Sequence, residues 1–289
     1  MNLTLFGQTL VSGLLQGGIY AQIAMGLMLG LGVLGIINFA HGEFLMIAMY
    51  VTLIVFRLDI NPYLAIFISF PLLYFLGVIL AKYLIIPILD RETMAQFLIM
   101  IGLSLVLMNL AMIIFSPNFY TVKAALTGKT LKIGEIIIGA NRLLGFAISI
   151  LVTGALLWMM QKTELGRNIR AVSQNRYAAS LVGVNVKAIY QIAFGISLAT
   201  LGISGPFLTP IYYVSPNIGS FFILFAFAIV IVGGMGNFKG ALVASFLIGL
   251  ADAFGAVLLP GSTGPILPFI FLILTLLFKP KGLFGGSGI

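Results

Sequence analysis

The chain has 289 residues, of which 61% are hydrophobic and only 8% charged, and its mean hydropathy is +1.19, whereas soluble domains carry roughly 25% charged residues. A large soluble domain is excluded. The net charge of +8 flanks apolar runs and forms no continuous patch with interleaved aromatics, so nucleic acid is not an expected partner, and the absence of cysteine removes disulfides and thiolate metal sites.

A spanning helix needs about 20 largely apolar residues. Runs of that kind fall near residues 7–34, 39–57, 63–86, 94–116, 143–161, 189–212, 221–234, 240–259 and 264–278. The expected fold is all-α: residues 1–289 form a single transmembrane domain, a polytopic bundle of eight or nine helices in the lipid bilayer. The start MNLTLFGQTLVSG has no basic n-region or cleavage signal, so the first run is expected to stay as a span. Thirty-four glycines suit a bundle in which backbones approach closely.

The loops at 82–92 and 162–187 and the tail "FKPKG" carry Lys82, Arg91, Lys162, Arg167, Arg170, Arg176, Lys187, Lys279 and Lys281, which places them in the cytoplasm. The opposing loops hold Arg57, Lys123, Lys129, Lys132 and Arg142, and Lys239 stays unassigned. Nine crossings put the N-terminus outside and the C-terminus inside; eight put both ends on one side. Segment 117–142 alternates apolar and polar residues around Thr127 and Gly128, the pattern of an external hairpin over the outer mouth.

Two segments interrupt the apolar pattern, "GIINFAHGEF" at 35–44 and "GGMGNFKGAL" at 233–242. Both read Asn-Phe, then a basic or imidazole side chain, then Gly, a faint internal repeat with chance similarity as its competing explanation. Gly-interrupted segments at matching places in two halves point to a translocation pathway. Candidate pathway residues are therefore Asn38, His41, Gly42 and Glu43 in the first segment, and Gly233, Gly234, Gly236 and Asn237 in the second. His41 and Glu43 are the only acidic or basic side chains in residues 1–56. They lie about 200° apart on an unbroken helix, so acting together requires a break there. Asn38 is expected to cap a new helix, with His41 on a neighbouring carbonyl and Glu43 accepting backbone amides. One of them lining the substrate passage is the sharper alternative. Asp252 is expected to make a helix-packing hydrogen bond.

"TGKT" at 127–130 lacks the glycine that a nucleotide loop needs five residues before its Gly-Lys-Thr, since position 123 is Lys. "GLGVLG" at 30–35 lies inside a membrane run and reads as helix packing. One histidine and no cysteine leave too few ligands for a zinc site, and no cofactor is expected. In the 162–187 loop, Arg167, Arg170 and Gln174 share one helical face, and Ile169, Val172 and Arg176 another, so a short amphipathic helix is predicted there.

Along nearly its whole length the chain resembles the permease subunits of ATP-binding-cassette importers for branched-chain amino acids. The resemblance rests on "GIY" at 18–20, "GIINFAHGEF" at 35–44, "TELGRNIRAVSQN" at 163–175, "AASLVGV" at 178–184 and "GGMGNFKGAL" at 233–242. By that resemblance, Gly166, Arg167 and Arg170 with Ala178, Ala179 and Gly183 look like the loop that docks on the ATPase, and Tyr177 stands where many importers have Glu. The resemblance implies a non-enzymatic subunit of the inner membrane. It implies as partners a second related permease, two cytoplasmic ATPases and an external substrate-binding protein. Relatives carry leucine, isoleucine and valine, other neutral amino acids, or urea and short amides, and these substrates all stay open. An ion-coupled carrier is the runner-up, but it calls for paired intramembrane carboxylates, and only Glu43 and Asp252 are present.

Overall fold

The computed structural model describes residues 2–260 and 263–285. Eleven helices are seen among them: α1 Leu3–Leu34, α2 His41–Arg57, α3 Ile66–Leu80, α4 Thr93–Phe115, α5 Ala140–Lys162, α6 Glu164–Gln174, α7 Arg176–Leu181, α8 Val186–Leu208, α9 Ile218–Gly233, α10 Phe238–Leu258 and α11 Ile266–Phe278. Six stretches are long and apolar enough to cross a membrane: α1, the helical run Pro62–Ile88 around α3, α4, α5, α8 and α10. The helices α2, α9 and α11 are shorter, at 17, 16 and 13 residues. Each of the nine apolar runs thus becomes a helix, and the shortfall in length falls on α2, α9 and α11.

The bundle has two distinct ends. One carries a hairpin of β1 Thr130–Ile133 and β2 Ile136–Gly139, paired antiparallel from Thr130↔Gly139 to Ile133↔Ile136. Its turn falls at Gly134 and Glu135; Thr127 and Gly128 make a separate turn before β1, closed by a bond from Thr127 N–H to the Ala124 carbonyl (2.9 Å). The hairpin covers the start of α1, where the Gln8 amide donates to the Ile137 carbonyl (2.8 Å) and accepts from the Ile137 N–H (2.9 Å). The other end carries α6 and α7, tied to the end of α1 by Ser173 Oγ donating to the Gly32 carbonyl (2.5 Å). The chain starts at the hairpin end. Its tail packs at the other end, where Leu283 N–H donates to the Val232 carbonyl (2.8 Å). Ten of the fifteen Lys and Arg, now including Lys239, belong to segments at the α6–α7 end.

Lipid offers no hydrophobic drive between helices, so close packing and hydrogen bonds must hold them. A Cβ on Gly17 would lie 2.7 Å from the Cα of Phe246, and one on Gly249 would lie 2.4 Å from Gly17, so α1 and α10 meet backbone to backbone. The pair α3 and α8 meets the same way at Gly77 and Gly195 and at Gly202 against Ser69. Pro206 inside α8 has no N–H to offer the carbonyl four residues back, at Gly202. Ser69 Oγ of α3 donates to that carbonyl instead (2.6 Å), as an unsatisfied backbone group in hydrocarbon demands. By contrast α4 leaves most of its surface uncovered.

Candidate functional site

Gly35 ends α1 in the left-handed region, at φ +69°, with its N–H on the Leu31 carbonyl (2.9 Å); glycine adopts that conformation without steric cost. The chain then turns back into the bundle as a non-helical segment, and α2 begins at His41. His41 is fully buried, and its Nε2 donates to the Ile23 carbonyl of α1 (3.2 Å). A carbonyl only accepts, so Nε2 carries the proton. Ile23 lies eleven residues before the end of α1, about 16 Å at 1.5 Å per residue, or roughly half of a ~30 Å hydrocarbon layer. Helix α2 therefore starts near mid-depth.

Asn38 does not cap that helix. The residue preceding α2 is Ala40, no side chain caps it, and the buried Asn38 amide has no hydrogen-bond partner among the described residues. Glu43 is buried in the first turn, where the helix dipole favours a carboxylate. Its observed side-chain partner is the Ser104 hydroxyl of α4, donating to Oε1 (2.8 Å), not a backbone amide.

The second half of this site was not singled out in the sequence. The segment 209–217 leaves α8 at the hairpin end, where Val214 bridges Tyr120, and returns into the bundle before α9 starts at Ile218. The starts of α2 and α9 then meet. A Cβ on Gly42 would lie 2.1 Å from the Gly219 carbonyl oxygen, and one on Gly219 would lie 1.8 Å from Glu43 Oε2. From this junction α2 runs to the hairpin end and α9 runs the other way. The Glu43 carboxyl thus sits between two helix N-termini, each without a side-chain cap. The sequence signal that marks α9 is "SPNIGS" at 215–220, with Pro216, Asn217 and Gly219 inside an apolar stretch.

Gly233, Gly234, Gly236 and Asn237 do not join this cluster. Gly233 lies fourteen residues beyond Gly219 along α9, about 21 Å away. The 233–242 segment is a turn between α9 and α10 at the α6–α7 end, and Asn237 caps α10 by accepting from the Gly240 N–H (2.9 Å). "NFAHG" and "NFKG" therefore occupy unlike places: a mid-depth helix start and a turn at the end of the bundle. At that same end Thr163 caps α6, with Gly166, Ile169 and Val172 buried and Arg167 outward. Arg170 is partly covered. A Cβ on Gly166 would lie 2.3 Å from the Met159 carbonyl, which explains the glycine there. Asn175 caps α7 through the N–H groups of Tyr177 (3.0 Å) and Ala178 (2.9 Å). Ala179 faces inward, and Ala178 and Gly183 are exposed, with Gly183 at φ +86°.

Two half-helices meeting inside a bundle of membrane-spanning length, with a capped amphipathic helix pair at one end, define a multi-pass membrane protein. Among the described residues no group of three His, Cys, Asp or Glu side chains is placed to hold a metal. Residues 9–276 match the family described as branched-chain amino acid transport system, permease component, and the chain belongs to that family of transporter membrane subunits, which are not enzymes. It is 30% identical to the high-affinity branched-chain amino acid transport system permease protein BraD of Pseudomonas aeruginosa, covering 96% of this chain and 95% of that one. It is 29% identical to the probable branched-chain amino acid transport permease protein LivH of Methanocaldococcus jannaschii (96% and 91%). The corresponding LivH of Salmonella typhimurium is 26% identical (97% and 96%). A solved structure, PsaBC from Streptococcus pneumoniae in complex with Fab, shares the fold at a TM-score of 0.53 and 10% identity, over 96% of this chain and 92% of that one.

Proposed function

We propose that this chain is the permease subunit of an ATP-driven importer that moves branched-chain or other neutral amino acids across the inner membrane by alternating access. In this reading the α6–α7 end is cytoplasmic, in keeping with its excess of basic residues. Two ATPases dock there, a second related permease completes the pathway, and an external binding protein delivers substrate at the hairpin end. Membership of the permease family supports this assignment.

The observation that carries it is the link between α7 and the broken segment. Tyr177, Leu181 and Val182 are 72%, 70% and 78% exposed on and just after a six-residue helix, an apolar face at the basic end of the bundle. This chain has no nucleotide loop, so ATP hydrolysis must reach it as movement. The α6–α7 pair is bonded through Ser173 to Gly32, three residues before α1 breaks at Gly35. A push on α7 is thereby delivered to the segment that leads to His41, Gly42 and Glu43. Asp90 pairs with Arg176 (2.8 Å) and adds a second tether, although an exposed pair of this kind contributes little stability.

Ser180→Cys tests the docking. In the assembled complex, Cys at 180 is expected to cross-link to a cysteine-bearing ATPase, with a yield that changes when ATP is trapped. Failure to cross-link from any ATPase surface position, with normal assembly, removes the docking assignment.

A further inference from the structure

A cavity of about 350 Å³ lies at the hairpin end between α1, α10 and the segment that descends to α9. Small-molecule sites commonly measure ~300–1,000 Å³. Its polar lining includes Gln16 and Tyr20 of α1, Arg142 at the start of α5, Tyr212, and Asp252 of α10, with Gln8, Thr9 and Ser12 of α1 nearer the hairpin; apolar wall comes from Leu5, Phe221 and Ala256 among others. The Tyr20 hydroxyl donates to Asp252 Oδ2 (2.9 Å), and Gln16 donates to the Tyr212 hydroxyl. Asp252 thus makes the helix-packing bond expected of it, yet that bond engages one carboxylate oxygen only. The Arg142 side chain makes no hydrogen bond or ion pair among the described residues, although it lines the same cavity as Asp252.

Opposite charges within a membrane protein are costly unless something meets them, and here they face a shared space without contacting each other. A guanidinium matches a carboxylate as a two-pronged donor. The carboxylate of Asp252 accepts from an ammonium. Between them, the apolar wall suits a hydrocarbon side chain. Below the cavity, Phe222 packs edge-to-face on Tyr212, with centroids 5.0 Å apart. Phe222 is three residues past Gly219 along α9, on the side away from the hairpin, so the cavity wall reaches the depth of the half-helix junction.

We propose that this cavity is a weak subsite for a neutral α-amino acid with an apolar side chain, its carboxylate on Arg142 and its ammonium on Asp252, on the hairpin side of the junction. The substrate class rests on the importer reading; the charge complementarity rests on the cavity alone.

The test is saturation-transfer NMR on the permease–ATPase complex in nanodiscs, without binding protein. Its probes are L-leucine, L-leucinamide, which lacks the carboxylate, and 4-methylpentanoate, which lacks the ammonium. Leucine is expected to give the strongest signal. Arg142→Gln and Asp252→Asn each lower it about tenfold, the loss of one charge-assisted contact. Arg142→Lys retains most of it, and Arg142→Gln abolishes the preference for leucine over leucinamide. Equal signals from all three probes overturn the proposal, as does an unaltered leucine signal in both variants when they assemble normally. ATP-dependent amino acid uptake by the unmodified complex with its binding protein judges the importer reading separately. Uptake without charge-dependent binding removes the subsite alone, and binding without uptake removes the importer reading alone.

Discussion

Glu43 shows how one side chain depends on two helix starts. Its Oε1 is engaged by Ser104, and its Oε2 faces Gly219 at the opening turn of α9. Glu43→Gln removes the negative charge that the two helix N-termini favour and replaces one acceptor with an amide donor. Transport is expected to fall about tenfold, the effect of one unfavourable buried polar contact, with surface expression unchanged. Proteoliposome uptake at matched protein levels measures this, and wild-type uptake by Glu43→Gln would leave the junction without a role for its carboxyl. Gly219→Ala makes the steric version of the same point. Its methyl group would enter the Glu43 carboxyl and the Gly42 backbone, for which overpacking costs of about 1–3 kcal/mol are typical. Gly102→Ala, where the added carbon meets nothing within 4 Å, is the matched control. Thermal unfolding in detergent is expected to separate the two.

Among elements, the contact of α3 with α8 depends on a proline in one helix and a serine in the other. Removing the hydroxyl by Ser69→Ala orphans the Gly202 carbonyl that Pro206 has already freed. The expected loss is about 0.6–1.7 kcal/mol, the range for interhelical hydrogen bonds in membranes, read as a lower unfolding midpoint. An unchanged midpoint would mean that the α8 backbone finds another donor. On the α7 side, Gly183 holds φ +86° with open space around it, so Gly183→Leu strains the backbone without a clash. Membrane insertion is expected to survive while ATP-driven uptake drops, because the strain falls on the segment joining the docking helix to α8.

At the scale of the molecule, the two ends of the described chain lie at opposite ends of the bundle. The start of α1 is bonded to the hairpin, and the 279–285 tail packs beside Val232 and Gly234. Among the described residues, six helical stretches are long enough to cross a membrane, and the passages through α2 and α9 are each built from a non-helical stretch plus a short helix. Lys132→Cys in the hairpin is expected to react with an impermeant thiol reagent on intact cells, and Ser180→Cys only after permeabilisation. Labelling of both from one side would break this arrangement.

Composition and the spacing of apolar runs were sufficient for the membrane class, the all-helical bundle, the amphipathic α6 and the basic end, because each depends on residues near one another in the chain. "GIINFAHGEF" was legible as a break for the same reason: glycines and polar side chains interrupt an apolar run locally. Its partner was not. The sequence similarity of 35–44 to 233–242 is a likeness of letters, whereas the meeting of Gly42 with Gly219 is a matter of where two helices start in depth, which no local pattern encodes. Asn38 and Asn237 differ likewise, one an uncapping buried amide and one a helix cap, although both precede Phe. The cavity joins Gln16, Arg142, Tyr212 and Asp252 from four parts of the chain. Only the packing of α1 on α10 and the return of the 209–217 segment bring those charges to one space, since burial and distance are properties of the assembled bundle.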